Sequence, residues 1–523
     1  MAAFWLLLLL LIAGALWALR SWRDQERRCR TSYPPGLRPY PLIGHLPQFV
    51  ANRHRLLDWM TELLSRQPTC TFVLRRPGGV RGHPANVEHL LRGRFDNYPK
   101  GPRFASLLHD FLGRGVFNAD GEAWRAQRKV ASHEFNTRSL RAFVARCVHA
   151  ELHGRLLPLL RRAAASSERR GLDLQDALER FAFDNICRVA FDHDPRQLPD
   201  DAVPEEEEEE GSRFADAFRD AANISAGRFR YAVPWFWRIK KALNFGSERR
   251  LRDSIAMVHD LADRIIQARR EEMMTTTAGC DDEKQQDLLS RFMASQDETY
   301  ARSGVPLRDV VISFLLAGRE TTSSALTWFF WLLSSRPDVA RRIRDEVAAV
   351  RARRATSGDG DQRNAAGFDL DELREMQYVH AAVTESMRLY PPVPVNALRA
   401  EADDVLPDGT RVHEGWFATC NAYAMGRMEA VWGADAGEYR PERWFDVDGA
   451  FRPESPFKYP VLHAGPRVCL GREMAYIQMK SIVACVMEEF DVVVHAAYQP
   501  RQALSLTLRM QDGLPVTVKH RRD

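Results

Sequence analysis

Residues 462–471 read Leu462-His463-Ala464-Gly465-Pro466-Arg467-Val468-Cys469-Leu470-Gly471 and lead directly into an apolar-periodic segment, Gly471 to Phe490. One cysteine therefore stands in a glycine-punctuated loop at the start of a helix. Unpaired N–H groups and the positive end of the helix dipole favour a thiolate there. Arg467 adds a positive charge just upstream, and Gly465 and Gly471 let the backbone approach something bulky and flat. A lone thiolate so placed suits the fifth ligand of a haem iron, pushing electron density toward dioxygen and favouring O–O cleavage. The competing reading is a structural cysteine buried beside a turn.

A second segment, Leu307–Ser335, has helical periodicity over 29 residues, a span of about 43 Å that crosses a whole domain. In its middle lies Ala317-Gly318-Arg319-Glu320-Thr321-Thr322. Glycine inside a helix costs roughly 1 kcal/mol relative to alanine. A notch beside a bound ligand, widened by Ala317, is one reason to accept that cost; close packing against another helix is the alternative. Glu320 and Thr321 add a carboxylate and a hydroxyl at the same place, able to pass protons to a bound oxygen and to hold a water.

Two further patterns stand on helices. Glu385 and Arg388 share a face, worth only about 0.2–0.5 kcal/mol on a surface. Their neighbours Val379, Ala382, Val383, Met387 and Leu389 are apolar, so a buried pair is expected, with Arg443 of Pro441-Glu442-Arg443-Trp444 as a further partner. Trp124 and Arg128 also share a face, where an indole N–H and a guanidinium would meet the same anion.

Composition narrows the class. The 523-residue chain has a net charge of +4, which gives no reason to expect a nucleic-acid partner. Its 8 cysteines are scattered without a CxxC pair, against a disulfide framework or zinc site and for a reducing compartment. Ala2–Leu19 (AAFWLLLLLLIAGALWAL) is uncharged and apolar, nearly long enough for a hydrocarbon core of roughly 30 Å. Arg20, Arg23, Arg27, Arg28 and Arg30 follow, which places everything after them on the cytosolic side. Residues 1–19 are read as a transmembrane anchor, 20–44 as a basic and proline-rich hinge, and 45–523 as the catalytic domain.

Helical periodicity runs through Glu122–Ala145, Asp173–Ala190, Arg213–Ile224, Glu248–Glu272, Pro337–Arg354 and Gln377–Tyr390. Strand patterns are few: Thr71–Arg75, Gly409–Val412, Leu504–Arg509 and Pro515–Lys519. The glutamate run Glu205–Glu210 reads as a solvated loop. The expected fold class is mainly α with a small β-rich portion.

The spacing Gly-x-Arg-x-Cys-x-Gly resembles the haem-binding loop of the cytochrome P450 family, the haem-thiolate monooxygenases. The Ala-Gly-x-Glu-Thr-Thr segment is similar to that family's oxygen-activating helix. One departure is Leu462, where the family usually carries a phenylalanine. The resemblance implies the cytochrome P450 fold, haem b held by Cys469 with Trp124, Arg128, Arg467, Gly465 and Gly471 around it, proton transfer through Thr321 and Glu320, and a Glu385, Arg388, Arg443 network locking the haem-side loop. It also implies O2 and NADPH as co-substrates, a membrane-bound flavoprotein reductase as partner, which a basic patch of Arg125, Lys129, Arg138 and Arg472 would steer, and an endoplasmic reticulum membrane location.

More narrowly, Phe181–Phe191, Phe117–Trp124 and Asn421–Arg427 resemble the plant fatty-acid ω-hydroxylase branch and its subgroup that includes jasmonoyl-isoleucine hydroxylases. Arg75–His83 is short for that branch, which puts the first β-hairpin in question. The branch implies oxygen insertion at the terminal or near-terminal carbon of a fatty acid or similar acyl chain. Hydroxylation of jasmonoyl-isoleucine or of a sterol side chain is the alternative, and reductase-independent hydroperoxide isomerisation a remote one. A narrow channel is expected, walled by Phe104, Phe218, Phe314, Ala317, Val393, Val395 and Leu514, with Lys100, Arg103 or Arg228 as anchor for a substrate carboxylate.

Overall fold

A computed structural model describes residues 20, 40, 44–74, 78–135, 138–166, 171–198, 205–231, 236–275, 287–294, 298–356 and 367–521. The expected anchor, residues 1–19, and most of the hinge lie outside them. No helix among the described residues is long and apolar enough to cross a membrane.

The principal helices are α1 (Leu56–Ser65), α2 (Gly121–Phe135), α3 (Arg138–Glu151), α4 (Leu174–Phe191), α5 (Glu205–Gly227), α6 (Ser247–Thr275), α7 (Leu307–Ser334), α8 (Pro337–Thr356), α9 (Gln377–Leu389) and α10 (Arg472–Glu489). The strands are β1 (Thr71–Leu74), β2 (Gly78–Arg81), β3 (Leu172–Asp173), β4 (Val395–Arg399), β5 (Asp404–Val405), β6 (Arg411–Val412), β7 (Phe417–Asn421), β8 (Phe490–Val494), β9 (Gln502–Leu504), β10 (Leu508–Met510) and β11 (Pro515–His520). They divide into two compact units, one drawn from Met1–Gly101, Pro394–Glu438 and Ser455–Val468, the other from Pro102–Val393, Tyr439–Glu454 and Cys469–Asp523.

The first unit is built on the sheet β1-β2-β7-β4. Of the stretch in question, Arg75–His83, residues 75–77 lie outside the described residues; on either side of them β1 and β2 pair antiparallel, Thr71 with Arg81, and β2 continues the sheet parallel to β7. Trp59, Leu63 and Leu64 of the amphipathic α1 pack with Phe72, Ala424 and Met428. A second cluster joins Val87, Leu90 and Leu91 to Leu398 and Ala418. The backbone of Gly465 lies directly against the Leu91 carbonyl and has φ +64°. Left-handed backbone and close approach together demand glycine there.

The second unit is helical and centred on α7, which is buried on nearly every side. It packs closely along α4, and also against α9 and α10. The expected ligand notch at Gly318 is corrected by this packing, because the side chain of Ile186 on α4 fills the place where a Cβ would stand. Gly318→Ala is therefore expected to lower stability by about 1–2 kcal/mol despite the better helix propensity. Pairing it with Ile186→Ala should recover part of the loss in denaturant unfolding; an equally stable single variant would show that the helices separate freely.

Capping fixes where α4 begins. Asp173 Oδ1 accepts from Gln175 N at 3.0 Å, from Asp176 N at 3.4 Å and from Leu514 N at 2.8 Å. The strand order β3-β11-β8 then places β11 in the middle, with Val516 opposite both Leu172 and Val494.

Two further sequence expectations differ from the structure. Glu205–Glu210 opens α5 rather than forming a loop; glutamate propagates helix well, and carboxylates favour a helix N-terminus. Glu122–Ala145 is helical over α2 and α3, with residues 136–137 outside the described residues. Leu504–Arg509 is not one strand but the turn of the hairpin β9–β10, with Leu508 paired to Leu504.

Candidate functional site

Cys469 stands immediately before α10 in the second unit. Its thiol is accessible. Burial nevertheless pushes its pKa up, opposed by the Gly471 backbone N–H and by the charges of Arg128 and Arg472. A thiol that water can touch but that protein closely surrounds lines a recess rather than the outer surface. Arg128 shares the environment: burial pulls its pKa down and Cys469 opposes that. Trp124, one turn earlier on α2, is buried. A Cβ at Gly471 would meet only a Phe135 ring carbon, at 3.9 Å. A thiol, a guanidinium and an open glycine face around one recess fit a flat, anionic, iron-bearing group such as haem. Gly465 contributes differently from expectation, since the Leu91 carbonyl accounts for it without any ligand. Arg467 ends the short turn Gly465–Arg467 and is half-buried.

On α7, every residue from Asp309 to Phe330 is buried except Ala317, Gly318 and Thr321. Ala317 and Thr321 lie on one face, and the Thr321 hydroxyl donates to the Ala317 carbonyl at 2.7 Å. The open face of this helix is thus the one that bears the hydroxyl. Glu320 is only 4% exposed and turns elsewhere. Its Oε1 accepts from Arg319 Nη1 at 3.0 Å and its Oε2 from the Thr507 hydroxyl at 3.3 Å. Arg319 in turn faces Glu179 at 3.6 Å, and Arg509 Nε donates to Glu179 at 2.8 Å. The acid and the alcohol, adjacent in sequence, have different partners. Thr507, Glu179 and Arg509 carry no sequence signal of this role, because their meeting is made by the tertiary fold.

Glu385, Arg388 and Arg443 meet as expected. Glu385 Oε1 accepts from Arg388 Nη2 at 2.7 Å and Arg443 Nε at 3.3 Å, and Oε2 accepts from Arg388 Nε at 2.8 Å. Two partners were missed: the Arg440 backbone N–H and the Trp444 indole N–H, each at 3.0 Å. Trp444 follows Arg443 in the quoted motif, and a buried indole needs an acceptor. That was the available signal.

The expected channel walls separate into groups. Phe218 packs fully buried against Phe111 and Phe214, and Leu514 is fully buried beside Asp173, so neither has surface to offer a substrate. Phe314 sits among Phe135, Phe191 and Phe292. Phe104, Ala317 and Val395 are half-buried, and Val393 is 40% exposed. Arg228 is corrected as an anchor: it is buried over Trp237 and bound to Glu248 and Asp110, at 2.6 and 2.7 Å. Lys100 is buried and donates to Asn396. Arg103 is exposed.

The family profile of cytochrome P450 matches residues 34–515. Cytochrome P450 CYP94D108 of Paris polyphylla is 48% identical over 479 residues, 91% of each chain. Cytochrome P450 94A1 of Vicia sativa is 43% identical, over 92% of this chain and 90% of its own. Cytochrome P450 94B3 of Arabidopsis thaliana is 43% identical, over 98% and 97%. With its mainly helical fold and a profile match over most of its length, the chain belongs to the cytochrome P450 family, monooxygenases that use a thiolate-bound haem, O2 and NADPH-derived electrons delivered through a reductase.

Proposed function

We propose that this chain hydroxylates the terminal or near-terminal carbon of a fatty acid or a similar acyl substrate, with Cys469 as the axial ligand of haem iron. The supporting observation is the Cys469 thiol, accessible yet enclosed at the start of α10 beside Arg128. Bound there, haem supplies the activation of O2. Trp124 and Arg128 would hold a haem propionate, and Gly471 leaves room for the haem plane. Residues 1–19 would anchor the chain in the endoplasmic reticulum membrane, 20–44 serve as a hinge, and 45–523 form the cytosolic monooxygenase domain.

The protein places the chain end and excludes water. Ala317 gives the acyl tail room on the open face of α7, with Phe104 and Val393 as further walls. Thr321 Oγ1 lies on that face to present a proton, and Glu320 behind it replenishes the proton. Glu385, Arg388 and Arg443 hold the Arg440–Trp444 stretch against α9 without touching substrate.

Purified chain, reductase and NADPH should convert lauric and oleic acids to hydroxy acids at or near the terminal carbon. Jasmonoyl-isoleucine and cholesterol offered in parallel test the alternatives, and oxygen gained only by the sterol would overturn the acyl assignment. Thr321→Ala should keep haem and divert electrons to peroxide, with product per NADPH falling about 10-fold or more. Unchanged coupling in that variant would remove Thr321 from proton transfer.

A further inference from the structure

Glu320 has a problem that its proposed role creates. A proton carrier alternates between carboxylate and carboxylic acid, and each form needs partners for its oxygens in a buried site. Arg319 serves Oε1 only as a donor, since a guanidinium has no acceptor. The group at Oε2 is the Thr507 hydroxyl, at 3.3 Å and itself buried. A hydroxyl donates to an ionised oxygen and, by turning its proton away, accepts from a protonated one.

The hydroxyl is also held firmly in place. The next residue, Leu508, accepts on its carbonyl from Ser324 Oγ at 2.6 Å and Trp328 Nε1 at 3.0 Å, both on α7. Its N–H donates to the Pro392 carbonyl at 2.9 Å. Two residues further, Met510 exchanges both backbone bonds with the Gln175 side chain on α4, at 2.9 and 3.1 Å. The charged groups around the pair are Arg319 from α7, Glu179 from α4, Arg219 from α5 and Arg509 from β10.

We infer that Thr507 is a positioning residue for proton supply, its hydroxyl reversing between donor and acceptor so that Glu320 can gain and lose a proton without stranding a buried oxygen. The β9–β10 hairpin is thereby part of the proton-handling machinery. The inference rests on reading Glu320 as a proton carrier.

The test compares Thr507→Val, which keeps the shape and loses the hydroxyl, with Thr507→Ser, which keeps the hydroxyl. In the full holoenzyme, Val should lower product per NADPH about tenfold and enlarge the solvent deuterium isotope effect, while spectral binding of lauric acid stays unchanged. Ser should restore coupling. Independently of turnover, the Tm losses of Thr507→Val and Glu320→Gln should not add in the double variant. Should the Val protein fail to retain haem, Thr507→Ala is read in the same way.

Additive Tm losses, or a Val enzyme as well coupled as wild type while Glu320→Gln is uncoupled, overturn the inference alone. A Glu320→Gln enzyme with wild-type coupling overturns the proton-carrier reading and the inference with it.

Discussion

Cys469→Ala is expected to abolish monooxygenation and the reduced, CO-bound absorption signature of a thiolate-ligated haem. No other cysteine among the described residues can substitute. Of the described cysteines, Cys70, Cys147, Cys187, Cys420 and Cys485 are all buried, and only Cys469 is accessible. Burial pushes the thiols of Cys147 and Cys485 up to about 12, which keeps them protonated and poor as ligands. The same force acts on Cys469, but there the Gly471 N–H, Arg128 and Arg472 oppose it. An iron ion bonded to the sulfur would complete what these groups begin. The measurement is the spectrum of the purified variant after porphyrin supplementation. A thiolate signature that survives the substitution would show that another residue binds the iron.

Glu385→Ala is expected to cost about 3–5 kcal/mol, because it removes one partner of a buried pair and leaves the other charge uncompensated. Glu385 and Arg388 have no exposed side-chain surface at all. Besides Arg388, the carboxylate serves Arg443, the Arg440 backbone and the Trp444 indole. Truncation therefore strands donors from two segments at once, and the damage reaches the stretch after Tyr439 as well as α9. Urea unfolding and the fraction of chains retaining haem should fall together. A variant with the wild-type midpoint would mean that water replaces the carboxylate, which full burial argues against. Glu385→Gln tests the charge itself, since it keeps the shape and loses the ion pair.

What could be read from the sequence followed from how locally each feature is encoded. Helices α4, α7, α8 and α9 carry long apolar periods bounded by proline or by a cap, and their expected limits match the structure within a few residues. Strands β4 and β7 were missed, because Val395-Asn396-Ala397-Leu398-Arg399 and Phe417-Ala418-Thr419-Cys420-Asn421 have little alternation. β7 lies between β4 and β2, and its parallel partner β2, with Val80 opposite Thr419, is far away in the chain, so local sequence does not announce that pairing. Among site residues, Glu385 and Arg388 could be paired because one helix face carries both. Arg228 was misjudged because Asp110 and Glu248, which bind it, approach from other helices. Gly318 was legible as a close approach, but whether ligand or helix did the approaching depended on where Ile186 lay.

The sheet that places β11 between β3 and β8 has a consequence for synthesis. Asp173 pairs with Pro515, and the cap of α4 takes a hydrogen bond from Leu514. Neither contact can close until translation has passed both partners, hundreds of codons apart. Until then the start of α4 lacks one of its partners, and nascent chains stalled in between should be the ones that chaperones and proteases recognise.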